Sequence, residues 1–455
     1  MKNRRIRQSI LEKDLIEYNP ARWRLNIPGR SFSIRAQDLV PAFSGAIGKV
    51  SLVAAFAMAW AAGLGTTDPA FVTENVRLEI IVASLFALLF SALLIPVAGP
   101  PGTLAPLIPM IPSMVSAGVH PLSFNLLTGL IAIVFAHKGY FAKIAALNRS
   151  GTKAGILLLF GVMGIISSYQ KLQAWAGENS SLFLLLIAVG GAAYVVLGKL
   201  NAKWLVIPVC GVLAILVSAL YGHYPSFETG PGFPIISPSY WWNERWGVGF
   251  GFSAGQIIAA VPFALMVGTM WPIDALTSKT LQEANYPAEA KKAVIDLDAT
   301  FIVVGLRNIL GAMLGGSQTA AVWRSFMIPL AVVKRPIGGS AFFLALFGLA
   351  FGFLGFPIDL SVFPSLVWLV LIFGVFAPMA EAGLSLIRNA AAGQIALLCV
   401  IIGLSTNPML GWSAALFAEN LFFVNRDEDN PTLKKDRILS AALLFIAIVS
   451  YVSVL

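Results

Sequence analysis

Long stretches almost free of charge recur along this chain from about residue 38 to its end, and no polar domain separates them. That recurrence constrains the fold more than any other feature. A bilayer core of about 30 Å is crossed by about 20 apolar residues of helix, and backbone in lipid must pair within a helix or a closed barrel. The chain therefore reads as an all-α polytopic membrane protein. Composition agrees: 58% of the 455 residues are hydrophobic and 12% are charged, against about 25% charged in soluble domains.

The apolar segments fall at about 38–64, 77–97, 101–118, 120–137, 152–168, 180–198 and 203–221, and then at 250–275, 297–314, 317–333, 338–357, 361–379, 391–405, 408–424 and 437–454. Seven segments thus precede a loop rich in Pro, Gly and aromatics, and eight follow it. The implied organisation is a lead-in at 1–37, a first seven-segment repeat at 38–222, an extracytoplasmic loop at 223–249, a second repeat at 250–424, and a linker with an extra helix at 425–455.

The formal charge of +9 reports topology rather than nucleic acid, because the basic residues lie in short connections. Runs such as "HKGYFAKIAALNRSGTK", "GKLNAK" and "VKRP" follow segments four, six and ten, whereas the long loop holds only Arg245. By the positive-inside rule the N-terminus is expected in the cytoplasm and the chain in the plasma membrane. The basic lead-in lacks the hydrophobic core of a cleavable signal and is expected to lie partly at the interface. Cys210 and Cys399 both sit inside apolar runs, which argues against disulfides and zinc.

Two segments are interrupted in the same way. The third opens with "AGPPGTLAPLIPMIP" from Ala98 and the tenth with "GGSQTAAVWRSFMIP" from Gly315. Glycine and proline at membrane depth are tolerated where other groups satisfy the backbone or where it lines a cavity. Broken helices in corresponding positions of two halves point to a transport site. "LIAIVFAHKGYFAKIAALNRSGTKAGILLLFGVM" from Leu130 and "LIFGVFAPMAEAGLSLIRNAAAGQIALLCVIIG" from Leu371 share an order of apolar helix, short linker and apolar helix. An odd number of segments per copy makes the second copy inverted.

The run "AAVPFALMVGTMWPIDALTSKTLQ", followed by "DATFIVVGLRNILGAMLGGSQTAAVWRSF", resembles segments eight to ten of the uracil/xanthine permease and sulfate permease (SulP) superfamily. "LVIPVCGVLAILVSALYG" and "GWSAALFAENLFF" are similar to its seventh and fourteenth segments. The resemblance implies seven plus seven inverted helices in a core and a gate domain, with the third and tenth half-helices facing each other across the substrate. It also implies a homodimer. The cytoplasmic STAS domain typical of sulfate permeases is missing from the sequence, which weakens sulfate itself as the substrate.

Nucleobase permeases place glutamates in segments eight and ten, where this chain holds Met270 and Arg324. The anion-transporting branch carries an arginine there, commonly followed by serine, and "WRS" matches it. Helix N-termini near Gly102 and Ser317 would favour an anion through their partial charge and free N–H groups. Thr103, Ser317, Gln318 and Thr319 would add donors. Arg324, expected about two turns into the half-helix, offers a permanent charge and a fork suited to an oxyanion. A structural ion pair is the competing reading.

Lys49 in "SGAIGKVSLVAAF" is a second intramembrane cation, either beside Arg324 at the substrate, paired structurally, or placed nearer the interface. Trp271 either lines the pocket or packs in the core. By the resemblance, Asp274 and Thr277 hold a coupling ion, Na+ or H+; neutralising a cation is the other role open to Asp274. Arg307, Asn308 and Glu419 read as packing residues, and the histidines at 120, 137 and 223 form no catalytic constellation.

The expectation is therefore a secondary transporter of a small anion (an inorganic oxyanion, bicarbonate or a carboxylate) working by alternating access among membrane lipids. No enzymatic activity, metal, resident cofactor or nucleic acid is expected. A nucleobase symporter is the alternative, and a membrane enzyme or receptor stands behind both.

Overall fold

The computed structural model describes residues 10–66, 68–139, 147–200, 202–422 and 431–452. Seven helical units come first: α1 (Leu39–Leu64), α2 (Pro69–Phe86, continuing through π turns at Ala87–Leu94), α3 (Ala105–Ser116, opening as a 3-10 turn), α4 (Pro121–His137), α5 (Ser150–Ala176), α6 (Ser180–Lys199) and α7 (Val206–Leu220). After the loop come α8 (Ala254–Asn285), α9 (Leu297–Met313), α10 (Arg324–Val332), α11 (Ile337–Leu354), α12 (Pro364–Ser385, with π turns at Leu371–Phe376), α13 (Ala390–Ser405), α14 (Pro408–Phe422) and α15 (Pro431–Val452). Among the described residues, six helices are long and apolar enough to cross a bilayer. The chain is an all-α multi-pass membrane protein.

The helices pack in two groups. One unites α1, α2, α4, α8, α9, α10 and α11, and the other α5, α6, α7, α12, α13 and α14. Helix α3 bridges them, touching α1 on one side and α5 on the other. Glu419 of α14 fastens the second group by accepting from the N–H groups of Gly151 and Thr152 at 2.8 Å and from Thr152 Oγ1 at 2.6 Å. A carboxylate there satisfies donors at the N-terminus of α5 and suits its dipole.

Helix α2 begins at Pro69, earlier than hydropathy indicates, because its first turns carry polar residues that are buried. Asn75, Arg77 and Glu79 are at most 4% exposed, and each has a distant partner. Arg77 donates to Gly230 O at 2.7 Å, which ties the long loop to the bundle. The same loop buries Trp242 and Trp246, whose indoles donate to Ala312 O at 2.8 Å and Gly315 O at 3.0 Å. So the loop covers the exit of α9.

Residues 10–37 of the lead-in are tied to the helices. Tyr18 donates to Pro96 O at 2.6 Å, Asn26 holds Leu93 O at the end of α2, and Arg335 before α11 is fully buried between Asp14 and Asp38 at 2.7 and 2.9 Å. Burial pushes the Asp14 carboxyl up, but hydrogen bonds from Arg35, Ser33 and Arg335 outweigh it and hold it at about 2. The folded value lies below the unfolded one of about 3.9, so this contribution is present above about pH 4 and is lost as pH falls towards 2. Asp14→Asn is accordingly expected to melt lower than the parent at neutral pH, with the gap closing through that window. A gap independent of pH would remove Asp14 from the account.

Candidate anion site

The third and tenth segments meet in extended conformation, not helix to helix. Pro101 and Val322 form an antiparallel bridge, Gly102 N–H donates to Ala321 O at 2.6 Å, and Leu104 N–H donates to Thr319 O at 3.0 Å. Gly102 permits the approach, since a Cβ there would lie 2.4 Å from the Trp323 Cα.

The half-helices therefore start later than the sequence suggests. Their first turns begin at Ala105 and Arg324, not near Gly102 and Ser317, and Arg324 is the first residue of α10 rather than one two turns in. The reason is backbone accounting. Between Ser317 and Trp323 the peptide groups are satisfied from elsewhere: Gln318 N–H by Glu79 at 2.9 Å, Gln318 O by Arg307 at 2.7 Å, Ala320 N–H by Asn308 at 2.6 Å and Ala320 O by Trp271 at 3.1 Å. A helix is not needed there, and the cross-strand bonds exclude one.

These partners also settle where the expected donors lie. Ser317 Oγ donates to Asn75 at 3.1 Å, Thr319 Oγ1 to Asn125 at 2.5 Å, and Gln318 Nε2 to Gly102 O at 2.6 Å and Thr103 Oγ1 at 2.9 Å. All three side chains are buried in the framework, away from the cavity lining. Trp271 is likewise buried, packed against Phe301 at 5.6 Å between ring centroids. Met270 is buried too. The side chains of Asp274 and Thr277 lie outside the described residues.

Lys49, Thr103 and Arg324, by contrast, share one cavity of about 110 Å³. Trp323, Ser325 and Ile328 complete its wall on α10, and Ala105 and Pro106 its wall on α3. The opposite wall comes from the second helix group: Ile207 on α7, and Gly374, Val375, Pro378 and Met379 on α12. Gly374 and Val375 belong to the π turns of α12, and such turns occur frequently at functional sites. Gly48 lets α1 and α10 close on the cavity, because a Cβ there would lie 2.7 Å from Ser325 Oγ.

Two cationic side chains line this cavity. The positive end of a helix ordinarily attracts acidic residues, yet α10 starts with the half-buried Arg324. Lys49 is 1% exposed beside it, and among the described residues its Nζ and Ser325 Oγ have no hydrogen-bond partner. Among the described residues no carboxylate lines the cavity. Burying a polar or charged group without a hydrogen-bond partner is costly, which singles out Lys49 and Ser325 among these side chains.

Glu79 escaped the sequence reading although an acid inside an apolar run was a signal. It pairs with Arg307 in the core, the two being 1% and 0% exposed, and together they grip Gln318. Trp323 and the apolar wall on α7 and α12 carried no signal that separates them from core residues.

In structure, the transmembrane domain of the bicarbonate transporter BicA from a cyanobacterium is similar, with a TM-score of 0.57 at 16% identity over 87% of this chain and 100% of that one. Murine Slc26a9, an anion transporter solved in an inward-facing state, gives 0.47 at 11% identity over 92% and 69%. The first likeness shows a shared fold. No curated protein matches the chain in sequence. Residues 2–455 match the family model described as "Protein of unknown function (DUF3360)", and the chain belongs to that family.

Proposed function

We propose that this protein is a secondary transporter that carries a small anion by alternating access. The observation that carries the reading is the convergence of Lys49, Arg324 and the N-terminus of α10 on one cavity at the seam between two helix groups. Binding at such a seam lets relative movement of the groups expose the ligand first to one side and then to the other. The volume of about 110 Å³ is well below the roughly 300–1,000 Å³ of sites for drug-sized ligands, which suits an inorganic oxyanion, bicarbonate or a short carboxylate. The fold shared with a protein described as a bicarbonate transporter supports the same reading. On this reading Asp274 and Thr277 of α8 couple transport to Na+ or H+.

A thermal-unfolding screen of the purified chain against sulfate, phosphate, bicarbonate, formate, succinate, uracil and xanthine tests it. A ligand that binds only the folded protein stabilises it by mass action. Stabilisation by an anion is expected; stabilisation by a nucleobase with none by an anion would reverse the reading. Uptake of the stabilising anion into vesicles under an imposed Na+ or proton gradient then tests coupling. Asp274→Asn is expected to abolish the gradient response, and a full response in that variant would refute the role of Asp274.

A further inference from the structure

We infer that the indole face of Trp323 is the partner of Lys49 when no anion is bound and gives the ammonium up to the anion. Trp323 is then a positioning residue of the site. The inference rests on the reading of the cavity as an anion site, and it goes beyond that reading by assigning Trp323 a role.

Lys49 Nζ lies 4.9 Å from the centroid of the Trp323 ring, within the distance at which a ring face attracts a cation. Among the described residues no oxygen takes any of its N–H groups. The ring attracts the charge without using those donors, so all of them stay available to a ligand. An oxyanion supplies both opposite charge and acceptors, and charge-assisted hydrogen bonds of that kind are the stronger contact. Ring and anion therefore compete for one cation.

The ring is also held in place by its own contacts. Its N–H donates to Gly45 O at 3.0 Å, on the same helix as Lys49. Its backbone N–H donates to Pro100 O at 3.2 Å, and Gly102 lies against its Cα. Trp323 is 3% exposed and directly precedes Arg324. One residue thus ties α1, the third segment and the start of α10 together while presenting its face to the cavity.

The test is a double-mutant cycle on the full chain, read as thermal unfolding, first without added anion and then in sodium sulfate or sodium bicarbonate. Trp323→Leu removes the ring, whereas Trp323→Phe keeps a ring face and loses only the bond to Gly45. Without anion, Trp323→Leu is expected to lower Tm by roughly 3 °C more in the Lys49 protein than in a Lys49→Met background. Trp323→Phe should recover most of that difference, and the difference should shrink when an anion saturates the cavity.

Equal losses in both backgrounds, or Phe and Leu behaving alike, would mean that Trp323 only packs and would overturn the inference. A difference unchanged by an anion that stabilises the wild type would overturn the handover. Should neither salt nor any other anion of the screen stabilise the wild type, the anion reading falls and the handover with it, while the difference without added anion still reports on the Lys49–Trp323 pair. If Trp323→Leu does not fold, Trp323→Met, which also removes the ring, takes its place in the two backgrounds.

Discussion

Arg324→Ala is expected to abolish anion-dependent stabilisation and transport while leaving the protein folded. Arg324 supplies the permanent charge at the first residue of α10, on the cavity wall shared with Lys49 and Thr103. Removing one partner of a buried charge pair costs about 2–5 kcal/mol of binding, which is about 30-fold to several thousand-fold in affinity. Folding should survive because the side chain is half-buried at a helix start and its backbone bonds do not depend on it. Arg324→Lys keeps the charge but loses the planar fork, so a partial loss is expected. The measurement is the Tm shift with the anion identified in the screen, together with vesicle uptake. An Arg324→Ala protein that takes up the anion at the wild-type rate would remove this cavity from the mechanism.

Arg307→Met should have the largest effect on stability even though Arg307 does not line the cavity. Both Arg307 and Glu79 are essentially unexposed, and breaking such a pair from one side strands the other charge at a cost of about 3–5 kcal/mol. The loss reaches the site because Arg307 also donates to Gln318 O at 2.7 Å and to Gln318 Oε1 at 3.2 Å. Those bonds hold the extended run that places Trp323 and Arg324. Neutralising the stranded acid in Glu79→Gln/Arg307→Met should restore part of the stability but not the anion response, since Gln318 remains loosened. Thermal unfolding of the two variants with and without the anion checks this. A single Arg307→Met protein as stable as the wild type would show that the pair does not organise the framework.

Much of this architecture was legible because each observation needed only local chemistry. The apolar runs report the solvent, and most of them correspond to helices. The glycine and proline openings at Gly102 and Gly315 mark where helix gives way to another backbone. Lys49 and Arg324 stood out because charge in an apolar run demands a partner. What hydropathy could not locate were helix starts governed by remote groups. The early start of α2 depends on partners for Asn75, Arg77 and Glu79 that lie in the long loop and the tenth segment.

The side chains of Ser317, Gln318 and Thr319 show the same limit more sharply. As donors beside a helix opening they suited a ligand equally well. In the fold they are consumed by Asn75, Gly102, Thr103 and Asn125, residues far away in sequence. Spacing along the chain gives no information on which acceptor a hydroxyl or amide meets across two packed segments.

By itself the sequence determined the membrane environment, the helical class, the two broken segments and the two cations, because each follows from the cost of placing a residue type in lipid. The tertiary structure decided where α10 begins, which polar groups are spent on the backbone, and that Lys49, Thr103 and Arg324 face an apolar wall from the other helix group. Those outcomes depend on which hydrogen bonds close across the bundle, and such bonds join residues whose proximity only the packed chain creates.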